Sequence, residues 1–164
     1  MIQVLFVCLG NICRSPMAEG IFQALLQTQG LEQFMGCDSA GTANYHSGLA
    51  PDHRTLKVLK NRGIHTPHRA RQVLHSDFQT FDFIVAMDDS NHHHLQRMYQ
   101  SLQNPSSQIL RMIDFVSPED NPRAYREIPD PYYGDLKDFE EVFELLSPGC
   151  QALLKHIQRP EPSA

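Results

Sequence analysis

The chain reads as an α/β fold built on a parallel sheet, and three features of its 164 residues predict this. Short apolar, β-branched runs alternate with segments of helical periodicity, the pattern of strand–helix–strand units with helices on both faces of a sheet. The first run, Val4, Leu5, Phe6 and Val7, is apolar without alternation, as a strand buried on both faces must be. It stops abruptly at a short loop that leads into a helix start. In parallel sheets, ligands bind beyond the carboxyl ends of the strands, where such loops lie.

The elements follow in order. Strand 2–7 leads to a helix over about 16–29, with Ser15 as N-cap, Pro16 as first helical residue and Glu19 in the first turn. Met17, Ala18, Ile21, Phe22, Leu25 and Leu26 recur at helical spacing and give that helix a buried face. Strands over about 34–38, 82–87 and 109–113 then alternate with helices over about 51–62, 89–100 and 137–157. The last helix carries the stripe Phe139, Val142, Phe143, Leu146, Cys150, Leu153, Leu154 and Ile157, interrupted by Ser147-Pro148-Gly149. A proline inside a straight helix removes a hydrogen bond and clashes with the preceding turn, at about 3 kcal/mol, so a kink or restart is expected there. Residues 114–129 read as a long loop, and residues 159–164 as a disordered tail after a single domain over 1–158.

Composition narrows the function. A net charge of −5 and a pI near 5.9 argue against a nucleic-acid or anionic-membrane surface. An anionic ligand must then be held by a local positive site. The four cysteines, Cys8, Cys13, Cys37 and Cys150, show neither zinc spacing nor a Cys-x-x-Cys pair, and no metal or cofactor is called for. No stretch is long enough to span a bilayer, and no basic segment precedes the apolar start as in a secretion signal. A reducing cytoplasm is the expected setting, and it keeps a thiol usable.

The loop after the first strand carries the chemistry. Cys8 and Arg14 flank five residues in Cys-Leu-Gly-Asn-Ile-Cys-Arg-Ser. Gly10 lets a backbone approach a ligand closely, and Asn11 is the usual non-glycine residue for a left-handed position. Backbone N–H dipoles, a helix N-terminus and a guanidinium all favour an anion, whether a thiolate or a phosphate dianion. Arg14 is the residue type whose planar fork binds two phosphate oxygens. One loop thus proposes both a nucleophile and its substrate class.

This stretch resembles the signature of the low-molecular-weight protein tyrosine phosphatases. Pro129-Asp130-Pro131-Tyr132-Tyr133-Gly134 is similar to that family's general-acid loop. Met87-Asp88-Asp89-Ser90-Asn91, Asp38-Ser39-Ala40-Gly41 and Gly63-Ile64 to His68 are similar as well, so the likeness spans roughly residues 2–157. A Cys-x5-Arg spacing alone is weak; joined to Ser15 and the distant Asp-Pro-Tyr-Tyr it is specific.

The resemblance implies a four-stranded parallel sheet of the flavodoxin-like, three-layer α/β/α kind, with the phosphate loop after the first strand. It implies that Cys8 attacks phosphorus, that Arg14 and the loop amides hold the phosphoryl oxygens, and that Asp130 protonates the leaving phenoxide. Ser15 is assigned a bond to the Cys8 sulfur, and Asn11, Ser39 and His68 brace the loop from behind. Leu9, Gly10, Ile12, Cys13, Tyr45 and Tyr132 complete a slot deep enough for phosphotyrosine and too deep for phosphoserine. Cys13 is the expected partner in a reversible disulfide that guards Cys8 against irreversible oxidation. The implied partners are phosphotyrosine-containing proteins, with a monomeric or weakly self-associating chain.

Plainer readings stand beside these. Cys37 and Cys150 read as core fillers. His92, His93 and His94 are adjacent on a helix and cannot share one ligand face, so they read as a solvated patch. Asp88 and Asp89 fit a helix start as well as a loop brace, and Tyr132 and Tyr133 fit an exposed aromatic rim. Three rival functions share the loop: arsenate reduction, a phosphocysteine carrier and a silent phosphate-binding module. The first needs relay cysteines that residues 77–100 lack, and the other two have little use for Arg14 combined with a distant acid.

Overall fold

The computed structural model describes residues 1–159. Strands β1 (Ile2–Cys8), β2 (Met35–Gly41), β3 (Phe83–Ala86) and β4 (Gln108–Arg111) form one parallel sheet in the order β2-β1-β3-β4. Helices α1 (Arg14–Thr28), α2 (His53–Lys60), α3 (Asp77–Thr80), α4 (Asp89–Ser101) and α5 (Leu136–Gln158) cover its two faces. The expected fold class is the observed one. The tail expected over 159–164 lies outside the described residues from 160 onward. Among the described residues, no helix is long and apolar enough to cross a membrane.

β1 is the axis of the molecule. Because strand side chains alternate, Val4 and Phe6 enter one core with α1, α2 and α5, while Leu5 and Val7 enter a second with Phe78, Ile84 and Leu95. That double burial explains the unbroken apolar run. In the first core the fully buried Phe6 and Phe22 rings meet edge to face, with centroids 5.5 Å apart.

Several boundaries differ from expectation, each for a physical reason. α1 starts at Arg14, with Cys13 at the N-cap and no side-chain cap; Ser15 lies inside the helix, and its hydroxyl is engaged elsewhere. Glu19 consequently falls beyond the first turn. α2 is shorter than 51–62 because Asp52 caps it, accepting from the Arg54 N–H at 2.8 Å. The short helix α3 was not anticipated; its Asp77 is buried and receives two nitrogens of Arg71, at 2.9 and 3.1 Å. The stretch 114–129 is less irregular than expected, since 3₁₀ turns occupy Met112–Phe115 and Pro118–Asp120.

α5 runs through Ser147-Pro148-Gly149 without a restart. Leu145, Leu146, Cys150 and Leu153 are buried on both sides of the proline, and that packing outweighs one lost hydrogen bond. Gly149 permits the close approach to the first 3₁₀ turn: a Cβ there would lie 2.6 Å from Met112 Cε and 3.1 Å from Val116 Cγ2.

Phe22→Ala removes a fully buried ring from the larger core and should cost about 3–5 kcal/mol. Urea unfolding should show a lower midpoint at an unchanged slope; a loss below about 1 kcal/mol would contradict the packing described.

Candidate active site

β1 delivers Cys8 to the carboxyl edge of the sheet, in register with Gly41 of β2. A Cβ at Gly41 would stand 2.6 Å from the Leu9 carbonyl oxygen, so glycine is what lets the chain turn there. The loop then curls through Asn11, whose φ of 58° lies in the left-handed region. Its carbonyls are occupied from outside. Cys8 and Leu9 carbonyls accept from the Thr42 and Ala43 amides at 2.9 and 3.0 Å, and Ile12 accepts from Asp52 at 2.8 Å. The Cys13 carbonyl accepts from the Thr55 hydroxyl at 3.2 Å. The amides of Gly10, Ile12 and Cys13 donate to no backbone carbonyl among the described residues, and the Asn11 amide donates to Cys8 Sγ at 3.3 Å. Carbonyls bound outside and amides left over inside are the makings of an anion nest, with the N-terminus of α1 behind it.

Cys8 is 3% exposed and its sulfur lies 3.0 Å from the Ser15 hydroxyl. Arg14 is 2% exposed. Its Nη1 donates to Asp88 at 2.8 Å and to the Ile128 carbonyl at 3.0 Å, while Nη2 lies 3.7 Å from Asp130. Burial works against the guanidinium charge, but Cys8, Asp88 and Asp130 more than offset it and hold Arg14 above its ordinary value. Asp130 itself is exposed and accepts the Tyr132 amide at 3.1 Å.

Behind the loop, one side chain gathers the polar groups. Asn11 Nδ2 donates to Ser15 at 2.8 Å and to Ser39 at 2.9 Å. Its Oδ1 accepts from the Arg71 amide at 2.9 Å and from His68 Nε2 at 2.7 Å. Ser39 in turn donates to Glu19 at 2.7 Å, and His68 Nδ1 lies 3.0 Å from the same carboxylate. Asn11, Ser15, Ser39 and His68 therefore form a connected, buried support.

In front of the loop is a cavity of about 310 Å³ lined by Cys8, Leu9, Gly10, Ile12, Cys13, Arg14, Tyr45, Asp130 and Tyr132, with His46 and Tyr133 added. Every residue that the resemblance assigns to the site is thus either in this wall or directly behind it. Tyr133 is 97% exposed and contributes a rim, not a wall. Cys13 is a free thiol, as are the other three cysteines; burial, then the charges of Asp52, Cys8 and Asp130, push its thiol far up. Burial does the same to Cys37 and Cys150.

Asp52, Arg54 and His46 were not read from the sequence, and Asp88 was read as a helix start or a loop brace without its partner. Asp88 both caps α4, in a reciprocal box with Asn91, and anchors Arg14, so its two plain readings are one. Asp52 and Arg54 join residues 130–134 to α2, although Pro51-Asp52 announces only a helix start. His46 stands beside the Tyr45 and Tyr132 rings, with centroids 6.5 and 6.3 Å away, and carries no sequence signal at all.

A thiol in an amide nest, closed by a buried arginine and faced by a carboxylate, defines a cysteine-dependent site for phosphate esters. Comparison with known proteins makes the class specific. Residues 3–163 match the family described as low molecular weight phosphotyrosine protein phosphatase. The low molecular weight protein-tyrosine-phosphatase YfkJ of Bacillus subtilis is 46% identical over 160 residues, covering 97% of each chain. A crystal structure of the protein tyrosine phosphatase from Entamoeba histolytica superposes with a TM-score of 0.87 at 39% identity, covering 96% of this chain and 97% of that one. A Drosophila arginine phosphatase superposes with a TM-score of 0.89 at 34% identity, covering 98% and 100%. The chain belongs to the low molecular weight phosphotyrosine protein phosphatase family.

The raised thiols set a pH dependence. An unfolded cysteine ionises near about 8.5, whereas folded Cys13, Cys37 and Cys150 keep their protons above that value. The folded state then binds more protons than the unfolded one, so stability falls as pH rises past about 8.5. In a Cys8→Ser form, the ultraviolet absorbance of thiolate should stay flat through that pH and rise only on unfolding. A rise in the folded protein near about 8.5 would contradict the burial of these three groups.

Proposed function

We propose that this protein hydrolyses phosphotyrosine in proteins, and small aryl phosphates, through a phosphocysteine formed on Cys8. The observation that carries the reading is the fixed fork of Arg14. Asp88 and the Ile128 carbonyl hold one end of a buried guanidinium, and the other end faces the cavity that contains Cys8 and Asp130. Phosphoryl transfer spreads charge over the equatorial oxygens, so donors fixed in advance supply most of the stabilisation.

In the first step the Cys8 sulfur forms a bond to phosphorus as the ester P–O bond breaks. Asp130 gives its proton to the departing phenoxide. In the second, water attacks the phosphocysteine and passes a proton to Asp130, the S–P bond breaks, and Ser15, 3.0 Å from the sulfur, donates to the leaving thiolate. Pro129 and Pro131 limit the backbone freedom of Asp130 between them. Arg14 and the loop amides fill the role that magnesium has in kinases, so no metal is needed.

The walls favour an aryl group. Leu9, Ile12, Tyr45 and Tyr132 offer apolar and aromatic surface to a flat ring beside a sulfur that is itself buried, which favours a phosphate carried on a phenol over one on a short serine side chain. An apolar slot also suits a phenyl ring better than a charged phosphoguanidine. Cys13 lines the same cavity as Cys8. After a peroxide converts Cys8 to a sulfenic acid, attack by Cys13 would expel water and leave a reducible disulfide. The partners are phosphotyrosine-containing proteins, in the reducing setting of the cytoplasm.

Hydrolysis of a chromogenic aryl phosphate should proceed unchanged in the presence of a chelator and should vanish in Cys8→Ser. Asp130→Ala should lower the rate by about 10²–10⁴. Activity that survives Cys8→Ser, or that requires added magnesium, would falsify this mechanism.

A further inference from the structure

Arg54, at the start of α2, makes more contacts than a surface arginine needs. Its Nε and Nη2 donate to the two oxygens of Asp52, each at 3.0 Å. Its Nη2 also reaches the Tyr132 carbonyl at 2.9 Å, and Nη1 reaches the Gly134 carbonyl at 2.8 Å. The guanidinium carbon stacks 4.2 Å from the centroid of the Phe139 ring in α5. One planar cation therefore spans three segments, a use for which lysine's point charge has no equivalent.

The segment it holds carries the acid. Tyr132 offers its amide to Asp130 at 3.1 Å and its carbonyl to Arg54. The Gly134 amide closes a turn onto the Pro131 carbonyl at 2.9 Å. Residues 130–134 thus form a small turn, pinned to α2 by two carbonyls on one guanidinium. The same end of α2 is fastened to the phosphate loop. The Asp52 amide donates to Ile12 at 2.8 Å, and the Thr55 hydroxyl donates to the Cys13 carbonyl at 3.2 Å. The start of α2 is the common anchor of the loop that holds the phosphate and the loop that holds the proton.

We propose that Arg54, braced by Asp52, is a positioning residue that sets the placement of Asp130 over the phosphate loop. It does not touch Cys8 and does not itself line the cavity; it acts through the backbone carbonyl of Tyr132. This inference rests on the reading of Asp130 as general acid.

The test uses two aryl phosphates, one with a poor and one with a good leaving group, and reads kcat/KM for each, since a good leaving group departs with little help from an acid. Asp130→Ala should lower kcat/KM far more for the poor leaving group. Arg54→Gln should do the same in milder form, about tenfold or more for the poor leaving group and little for the good one, with inhibition by inorganic phosphate unchanged. Arg54→Lys, which keeps the charge and loses the fork, should fall between Arg54→Gln and the parent, and it serves where the glutamine form does not fold. Equal losses for both substrates in the arginine variants, or no loss, overturn the role given to Arg54. If Asp130→Ala itself shows no leaving-group dependence, the reading of the acid fails first and the positioning role falls with it.

Discussion

Everything at the carboxyl edge of the sheet depends on placing a guanidinium where water cannot reach it. Arg14 is almost wholly buried, and an isolated buried charge would cost several kcal/mol. Asp88 answers that cost with a 2.8 Å ion pair, and the Ile128 carbonyl adds a second acceptor. The consequence is geometric. Asp88 is fixed because it also caps α4, and Ile128 is fixed because its amide donates to the Met87 carbonyl at 2.9 Å. The cation is therefore held by the end of β3 on one side and delivered by the start of α1 on the other. Two neighbouring strands of the sheet converge on it, and the acid-bearing stretch that follows Ile128 is drawn to the same place.

The phosphate loop needs a different kind of support, because a curl with inward amides has no regular secondary structure to hold it. Backbone donors outside the loop hold its carbonyls, and the side chain at the centre of its support is Asn11. Its backbone takes the left-handed turn and its carboxamide uses both donors and its oxygen on Ser15, Ser39, Arg71 and His68. Aspartate could adopt the turn but would lack the two donors, and glycine would lack all four contacts. Cooperative networks of this type are rigid when complete and unfavourable when broken. No buried side-chain nitrogen or oxygen among the described residues lacks a partner, so the network is complete.

How much of this was legible depended on the range of the interaction. β1, the loop and α1 are local, and their composition announced both the fold class and the proposed nucleophile. Ser15 shows where local reasoning misleads: a serine before a proline reads as an N-cap, yet its hydroxyl turns back to the sulfur and Asn11, and the helix begins two residues before Pro16, at Arg14. At Pro148 packing on both sides of the proline carries the helix through without the restart that the local pattern allowed. Arg54 could not be read, because its partners Tyr132 and Gly134 are 78 and 80 residues away, and Asp88, 74 residues from Arg14, could be read as a helix start or a loop brace but not with its partner. Only the resemblance supplied Asp130, which by itself is a turn aspartate between prolines.

Those long-range pairs also explain how a chain with a net charge of −5 can attract an anion. The overall field repels phosphate, so attraction must be confined to a volume where screening is weak. Burial of Arg14 and alignment of loop amides provide that volume, but they bring three carboxylates, Asp88, Asp130 and Asp52, close to it. Two of them are neutralised by geometry. Asp88 faces the far end of Arg14, and Asp52 is occupied by Arg54, which, against the opposing effect of burial, holds its carboxyl below the ordinary range. Asp130 alone remains exposed and 3.7 Å from a guanidinium nitrogen, without the tight pairing of the other two. Of these three carboxylates it is therefore the one without a tight partner, as the proposed role of general acid requires, and the two arginines engage the other two.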